Sequence, residues 1–281
     1  MRPPAQSIAG HLALIVAIAA ILAGAMAYPF FPGRYDQLSV PLSTMAQLVG
    51  VAGLALVPGA LLWLAMPRRQ FGLAVASTAV GTGAGLILAL VAALSSGNLL
   101  GVLTLAGLTG ALLGLLPRLR RLKDPDQRRL HPVPLYLLCL PLLALASQLA
   151  LADSLTRWSR DRAMANAAEL IARIEAYYDR HAQYPASLQA QYGDYDPNRV
   201  GIDRYHYMRR GGSYNLAFEQ PRFLLDDIGT REWVVYNPRG EHRVYSHTSW
   251  LLLPSAAAEP IQGWYASGDA GRAHWKYFLF D

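Results

Sequence analysis

The chain has 281 residues, of which 53% are apolar and only 16% charged, a balance that excludes an ordinary water-soluble globular domain and fits a polytopic membrane protein with one watery domain. The net charge of +6 is unevenly placed: residues 1–153 hold 10 Lys/Arg and 4 Asp/Glu, whereas residues 154–281 hold 15 of each. The basic excess therefore belongs to the apolar half, and it gives no reason to invoke a nucleic-acid partner.

In chain order, long uncharged runs predict five transmembrane helices at residues 12–28, 45–66, 71–94, 98–116 and 135–152, each close to the roughly 20 residues that cross about 30 Å of hydrocarbon. The first run also reads as a signal peptide, because Ala25-Met26-Ala27 has the form of an A-x-A cleavage site. Arg68 and Arg69 follow the second span, and Arg118, Arg120, Arg121, Lys123, Arg128 and Arg129 crowd the connection before the fifth. By the positive-inside rule these loops are cytoplasmic. The expected topology has the N-terminus inside and the 30–42 loop, the Ser95-Ser96-Gly97 turn and the C-terminal half outside. Arg157, Arg160 and Arg162 beyond the fifth span pull weakly the other way, and Trp158 suits an interfacial anchor.

No ionisable residue lies at mid-depth in these spans, as an ion or proton pathway would require. Gly81-x-x-x-Gly85 and Gly110-x-x-x-Gly114 predict close helix packing between the third and fourth spans. The one cysteine, Cys139, falls in the fifth span, so residues 154–281 have neither a disulfide nor a thiol nucleophile.

After the fifth span, Ala163, Ala167, Leu170, Ile171, Ile174, Tyr177 and Tyr178 recur with the spacing of one buried helix face, while Glu169 and Arg173 form an i,i+4 pair elsewhere. No glycine interrupts residues 135–182, so the fifth span and this helix are expected to form one rod of about 72 Å, stopped by Pro185. Two hairpins are expected beyond it. Tyr205–Arg209 and Tyr214–Phe218 flank Arg210–Ser213, and Glu232–Tyr236 and His242–Tyr245 flank Asn237-Pro238-Arg239-Gly240. Trp275–Phe280 is a further strand. With 21 of the chain's 28 aromatic residues, the segment 154–281 has the bulk for its own core.

A long helix leaving the membrane, the run A-x-E-L-I-A-R-I-E-A-Y-Y, a Tyr-Pro-Ala-Ser-Leu exit and antiparallel hairpins together resemble the type IV pilins and type II secretion pseudopilins over about residues 135–281. The resemblance implies an α+β domain, a long helix packed on an antiparallel sheet. The fifth span lacks the family's leader cleavage site and the Glu at its fifth position, so what is implied is a fold rather than a fibre. Some pseudopilins bind calcium in sheet-side loops, and Asp194-x-Asp196-x-Asn198 has the 1, 3, 5 oxygen spacing of a calcium loop. Arg199 stands in place of the loop glycine and Tyr205 in place of a closing Glu, so a polar turn without metal is expected there.

His206, His242, His247 and His274 are scattered without metal-ligand spacing. Glu241-His242 with Asp226-Asp227 is the one combination that folding would have to converge into an acid/base pair. The sequence therefore assigns no catalytic, cofactor-binding or metal-binding residue and implies no cofactor. The expected organisation is a transmembrane bundle, residues 1–153, followed by an extracytoplasmic pilin-like domain, residues 154–281. The expected role is non-enzymatic interaction or assembly at a bacterial inner membrane, with the lipid bilayer and other envelope proteins as partners. The Ala/Leu/Arg-rich composition and the pilin resemblance point to a Gram-negative cell, which makes the outer compartment the periplasm. A membrane-bound enzyme or transporter component is the alternative.

Overall fold

Runs of Ala, Leu, Ile and Val without charges dictate helix through the first half of the chain, and alternating aromatic and β-branched residues dictate sheet near its end. The computed structural model describes residues 8–66, 69–96, 98–121, 132–188, 196–226, 230–242 and 264–280. The chain divides into two compact units, residues 1–26 with 41–149 and residues 27–40 with 150–281.

The first unit is helical. It contains α1 (Ile8–Ala27), α2 (Ser39–Gly53), α3 (Val57–Ala65), α4 (Gln70–Ser96), α5 (Asn98–Arg121) and the start of α6 (Val133–Asn166). Four described segments are long and apolar enough to cross a membrane: Ala9–Phe30, Ser39–Ala65, Phe71–Leu90 and Val133–His181. The expected 98–116 span is helical in α5, and Thr104–Gly114 is the described part of its apolar stretch. The surface of the unit is oily, with Ile21 71% and Leu149 68% exposed, as lipid-facing side chains would be.

A 3₁₀ turn at Leu54–Leu56 separates α2 from α3, and Pro58 explains it. Proline has no N–H for the Leu54 carbonyl, and the amide of Val57 bonds that carbonyl instead, one residue early. Close packing uses one glycine of the G-x-x-x-G motifs, Gly85, and three outside them. A Cβ on Gly50 would sit 2.8 Å from Ala144, one on Gly53 2.8 Å from Pro141, and one on Gly101 2.5 Å from Ala93. Of the motif glycines, Gly85 presses on Leu108 and Gly81 touches Leu56 at ordinary distance, but Gly110 and Gly114 have nothing within 4 Å. The α4–α5 hairpin thus closes at Gly101, near the turn, where the two backbones have just separated.

Several polar groups in this unit bond locally, and others join helices. The hydroxyls of Thr78, Thr82, Thr109 and Ser147 each donate to the carbonyl four residues earlier. Gln148 donates to the Gln47 carbonyl (3.0 Å), Gln47 to the Ser43 hydroxyl (3.0 Å), and Ser43 to the Met26 carbonyl (2.7 Å), which ties α6, α2 and α1 together through buried bonds.

In the second unit α6 continues to Asn166 and α7 follows at Ala168–His181. The expected rod is nearly unbroken: Ala167 keeps helical dihedrals, its amide bonds the Ala163 carbonyl, and its own carbonyl accepts from Ile171. Its end comes earlier than Pro185. Ala182 takes the left-handed conformation (φ 52°), and its amide closes on the Tyr178 carbonyl.

Five antiparallel strands, β1 (His206–Arg210), β2 (Ser213–Gln220), β3 (Arg231–Tyr236), β4 (Trp264–Asp269) and β5 (Trp275–Phe280), lie in the order β1-β2-β3-β5-β4. The first hairpin and the final strand match expectation. The expected strand His242–Tyr245 lies outside the described residues beyond His242, and β3 pairs with β2 along one edge and with β5 along the other. The buried Asn237 side chain fixes the departing turn. Its Oδ1 accepts the amides of Arg239 and Glu241, and its Nδ2 donates to Asn215 and the Tyr214 carbonyl.

Leu170 and Ile174 of the helix, with Ile171 and Tyr178 at the margin, pack on Tyr214, Leu216, Phe218, Val234 and Trp275. This is the face that helical spacing predicted. The opposite face of the sheet buries a second cluster, Ala217, Trp233, Val235, Phe278 and Phe280.

Candidate functional site

Three polar assemblies stand out in the second unit. The first lies under α6. Glu232, on the helix-facing side of β3, is 1% exposed and accepts hydrogen bonds from Arg160 (2.7 Å) and Arg222 (3.0 Å), and Arg222 also pairs with Asp226 (2.8 Å). The Arg160 guanidinium also lies over the Tyr277 ring, 4.9 Å from its centre. One buried carboxylate held by two arginines joins helix, sheet and the segment after β2. Each oxygen is occupied, so the group is built for position and not for proton transfer.

The second is a stack of tyrosines around Glu175 of α7. Tyr214 and Tyr184 donate their hydroxyls to its carboxylate at 2.9 and 3.3 Å, and the rings of Tyr178, Tyr184, Tyr207, Tyr214 and Tyr236 lie 4.5–5.9 Å from neighbours in the cluster. Burial, reinforced by the adjacent Glu175 charge, pushes the Tyr184 phenol up to about 12 and that of Tyr214 further. Both rings stay neutral donors at any physiological pH, and their close contact fills the space that a ligand would need.

The acid/base combination considered from sequence does not assemble. Asp226 pairs with Arg222 near the start of β3, whereas His242 bonds the carbonyls of Gly240 (3.1 Å) and His274 (2.9 Å) beyond its end, about 16 Å further along a strand. Asp227, like Asp194 and His247, lies outside the described residues. Burial lowers the imidazoles of His206 and His242 below their ordinary range, and His206 stacks edge-on to Trp233 at 5.2 Å. His274 sits in a turn at positive φ and not on a strand. Asp196 accepts the Asn198 amide (2.7 Å), closing a tight polar turn. Among the described residues no three His, Cys, Asp or Glu side chains converge as metal ligands do.

The third assembly was not foreseen. The connection between α1 and α2 is built into the C-terminal domain instead of hanging free. Val200 donates to the Phe31 carbonyl (3.1 Å), Gly201 to Pro29 (2.8 Å), Asp36 to Val200 (2.9 Å) and Gly33 to Asn198 (3.4 Å). Phe30, 1% exposed, stacks on Phe223 with centres 5.1 Å apart and planes 13° from parallel. Gly201 is required at this crossing, since a Cβ there would lie 2.6 Å from Pro29. Next to it stands Arg199, 4% exposed, its guanidinium 4.7 Å over the Trp158 ring. Its Nε and Nη1 have no hydrogen-bond partner among the described residues. The only signal in the sequence was the aromatic and proline content of Tyr28-Pro-Phe-Phe-Pro, which is rich for a plain linker.

In the helical unit, one cavity of about 360 Å³ lies among α1, α2, α4 and α6, and Tyr136 is the single polar side chain in its wall. Tyr136 is hydrogen-bonded to His11 (2.9 Å).

No family model, no curated protein and no solved structure matches this chain.

Proposed function

We propose that this protein is a multi-pass membrane protein that presents residues 150–281, clamped by the 27–40 connection, as a non-enzymatic interaction or assembly domain outside the cytoplasm. The observation that carries the reading is the set of backbone hydrogen bonds joining residues 29–36 to residues 198–201. Two segments bonded in this way lie on one side of a membrane. The chain between them must then cross an even number of times. The 39–65 segment, α4 and α6 are three crossings, so α5 is the fourth. With α1, the total is five.

The direction follows from charge. Arg118, Arg120 and Arg121 end α5, and Lys123, Arg128 and Arg129 follow before α6, so that end is cytoplasmic and the clamped domain is outside. In a Gram-negative cell this is the inner membrane with the domain in the periplasm. The last turn of α1 holds Ala25-Met26-Ala27 as helix, with Met26 and Ala27 buried, which supports retention of the first span. A long helix laid on one face of an antiparallel sheet supports the pilin-like reading of the domain.

Contact rather than catalysis is supported by the use of the ionisable groups. Glu232, Glu175, Asp226 and His242 are each engaged in holding elements together, and the cavity among the spans is walled by hydrocarbon, unlike a transport or catalytic site with converging charges. Alanine at Glu241, His242 or Asp226 should leave the cellular phenotype of a deletion complemented, while removal of Trp275–Phe280 should abolish complementation. Loss of complementation by one of those single changes in a protein of unchanged melting temperature would point to an enzyme.

A further inference from the structure

Small side chains leave the cavity among four helices of the first unit. On α4 its wall is Gly81, Ala84 and Gly85, at the i, i+3, i+4 spacing of one helix face, with bulk returning only at Leu88. The cavity measures about 360 Å³ and follows α6 from Tyr136 to Ala144, a rise of about 12 Å. It is not sealed. Tyr136, Ile18 and Leu22 in its wall are half-buried, and Val49 is 45% exposed.

Along its α2–α6 edge the backbones close to contact, since a Cβ on Gly50 or Gly53 would sit 2.8 Å from α6. In hydrocarbon such fit is what holds helices together, so a void beside it forfeits attraction along its whole lining. Water does not suit the space. A buried water needs two to four polar partners, and Tyr136 is the single polar side chain among the described residues of the wall. A dry apolar cavity of roughly 150 Å³ already takes up benzene, so hydrocarbon is what fits here. The length narrows the choice: about 12 Å is most of the roughly 15 Å of hydrocarbon in one leaflet, half of a core about 30 Å thick. Tyr136 is the wall residue nearest the start of α6, its hydroxyl 2.9 Å from Nδ1 of His11. With the proton on that nitrogen, His11 donates to the phenol oxygen, and the phenol proton is left for an acceptor on a ligand.

We propose that this cavity holds one acyl chain of a glycerophospholipid from the inner leaflet, its ester carbonyl accepting from the Tyr136 hydroxyl. This rests on the membrane reading above, in which the start of α6 follows the basic loop and lies at the cytoplasmic face. A lipid's ester group lies where hydrocarbon meets headgroup, the level at which a tyrosine near a span end is placed. The chain then serves as a packing element of the bundle, touching α1, α2, α4 and α6 at once.

The test uses the full chain in a steroid-based detergent, whose rigid tail is a poor substitute for an acyl chain. Phosphatidylglycerol carrying a diazirine in one acyl chain is added and photolysed, and the adducts are mapped by mass spectrometry. Adducts are expected on the wall, at Leu137–Ala144 and Gly81–Leu88, and excess unlabelled phosphatidylglycerol should compete them away. Ala84→Phe, which fills the cavity, should lose the wall adducts while those at Ile21 and Leu149, 71% and 68% exposed, persist. Where phenylalanine overpacks and the protein does not fold, Ala84→Leu decides the same point. Tyr136→Phe should raise the half-saturating lipid concentration about fivefold, the ordinary worth of one hydrogen bond, and an unchanged concentration would overturn the bond to the carbonyl. Wall adducts that survive in the folded Ala84 variants would overturn the lipid site, as would a wild-type wall left unlabelled while Ile21 and Leu149 react. So would a diazirine-bearing palmitic acid that labels the wall at lower concentration than the phospholipid, since the occupant would then be a free acid. Release of the chain from membranes by carbonate, measured before any lipid is added, would sink the membrane reading itself, whereas a retained chain with an unlabelled wall sinks only the lipid site.

Discussion

The two units reach stability by opposite means. The helical unit brings backbones together by omitting side chains: Gly50 and Gly53 admit Ala144 and Pro141, and Gly101 admits Ala93. Its threonine hydroxyls bond their own helices, and a buried chain through Gln148, Gln47 and Ser43 and the His11–Tyr136 pair cross between helices. The second unit brings elements together by adding bulk and charge. Its core is Tyr, Phe and Trp, and Arg160–Glu232–Arg222 ties segments far apart in sequence. On the membrane reading proposed above, the difference follows from solvent. In hydrocarbon there is no hydrophobic gain from burying leucine, so close fit remains as the driving force, whereas in water the burial of large apolar area dominates.

The contrast can be broken at chosen residues, the heaviest consequences lying in the watery unit. Phe30→Ala removes a ring from between the connection and Phe223, and should cost about 3 to 5 kcal/mol of the second unit's stability although residue 30 lies far from residues 150–281 in sequence. Unfolding of the full chain in detergent, followed by near-UV circular dichroism, checks this, and a change below about 0.5 kcal/mol would mean that the connection merely rests on the domain. Glu232→Ala leaves two arginines facing each other and should cost a similar amount, about 3 to 5 kcal/mol, with recovery when both Arg160 and Arg222 are also made apolar. Ile174→Ala on the packed stripe should cost about 2 to 5 kcal/mol, while Glu169→Ala, whose partner Arg173 is equally exposed, should shift stability by less than about 0.5.

Those packed residues also show how far the sequence could be read. Ile171, Ile174 and Tyr178 declare their face through helical spacing, and Tyr205–Phe218 declares its hairpin through alternation around a glycine pair, because both signals are local. The 30–42 segment was expected to be an external loop and nothing more, since its partners at 198–201 lie about 160 positions away and no periodicity links them. The pairing of β3 with β5 is hidden for the same kind of reason: the local turn signal at Asn237-Pro-Arg-Gly is real, but the strand on that edge of β3 comes from the end of the chain. Strand β4 was missed because Trp264–Asp269 contains Ser-Gly-Asp, which reads as a turn, and its pairing with β5 supplies what propensity does not. The buried guanidinium of Arg199, whose Nε and Nη1 have no hydrogen-bond partner among the described residues, carries no sequence signature, because burial is a property of the fold.

Smaller effects sharpen the comparison. In the helical unit, Gly53→Val should cost about 1 to 3 kcal/mol through overlap with Pro141, whereas Gly110→Ala, with open space around it, should be neutral or slightly stabilising in helicity. In the watery unit, burial depresses the folded-state pKa of His206 and His242. The unfolded chain therefore takes up these protons first as pH falls. Their stability contribution is complete above about pH 6.5 and is lost progressively below it. A melting-temperature profile between pH 7.5 and 5 should fall, and the fall should be shallower in His206→Gln and His242→Gln.

The central claim is that the 27–40 connection and the C-terminal domain share one side of a membrane crossed five times. Cys139 is the chain's one cysteine, so in a Cys139→Ala background single cysteines can report their own side. Tyr35→Cys and Tyr265→Cys, both at exposed positions, should react in intact cells with a maleimide that does not cross the inner membrane, while Asp126→Cys should react only after that membrane is opened. Labelling of Tyr35→Cys and Tyr265→Cys from opposite sides would contradict the hydrogen-bonded clamp and the crossing count that depends on it.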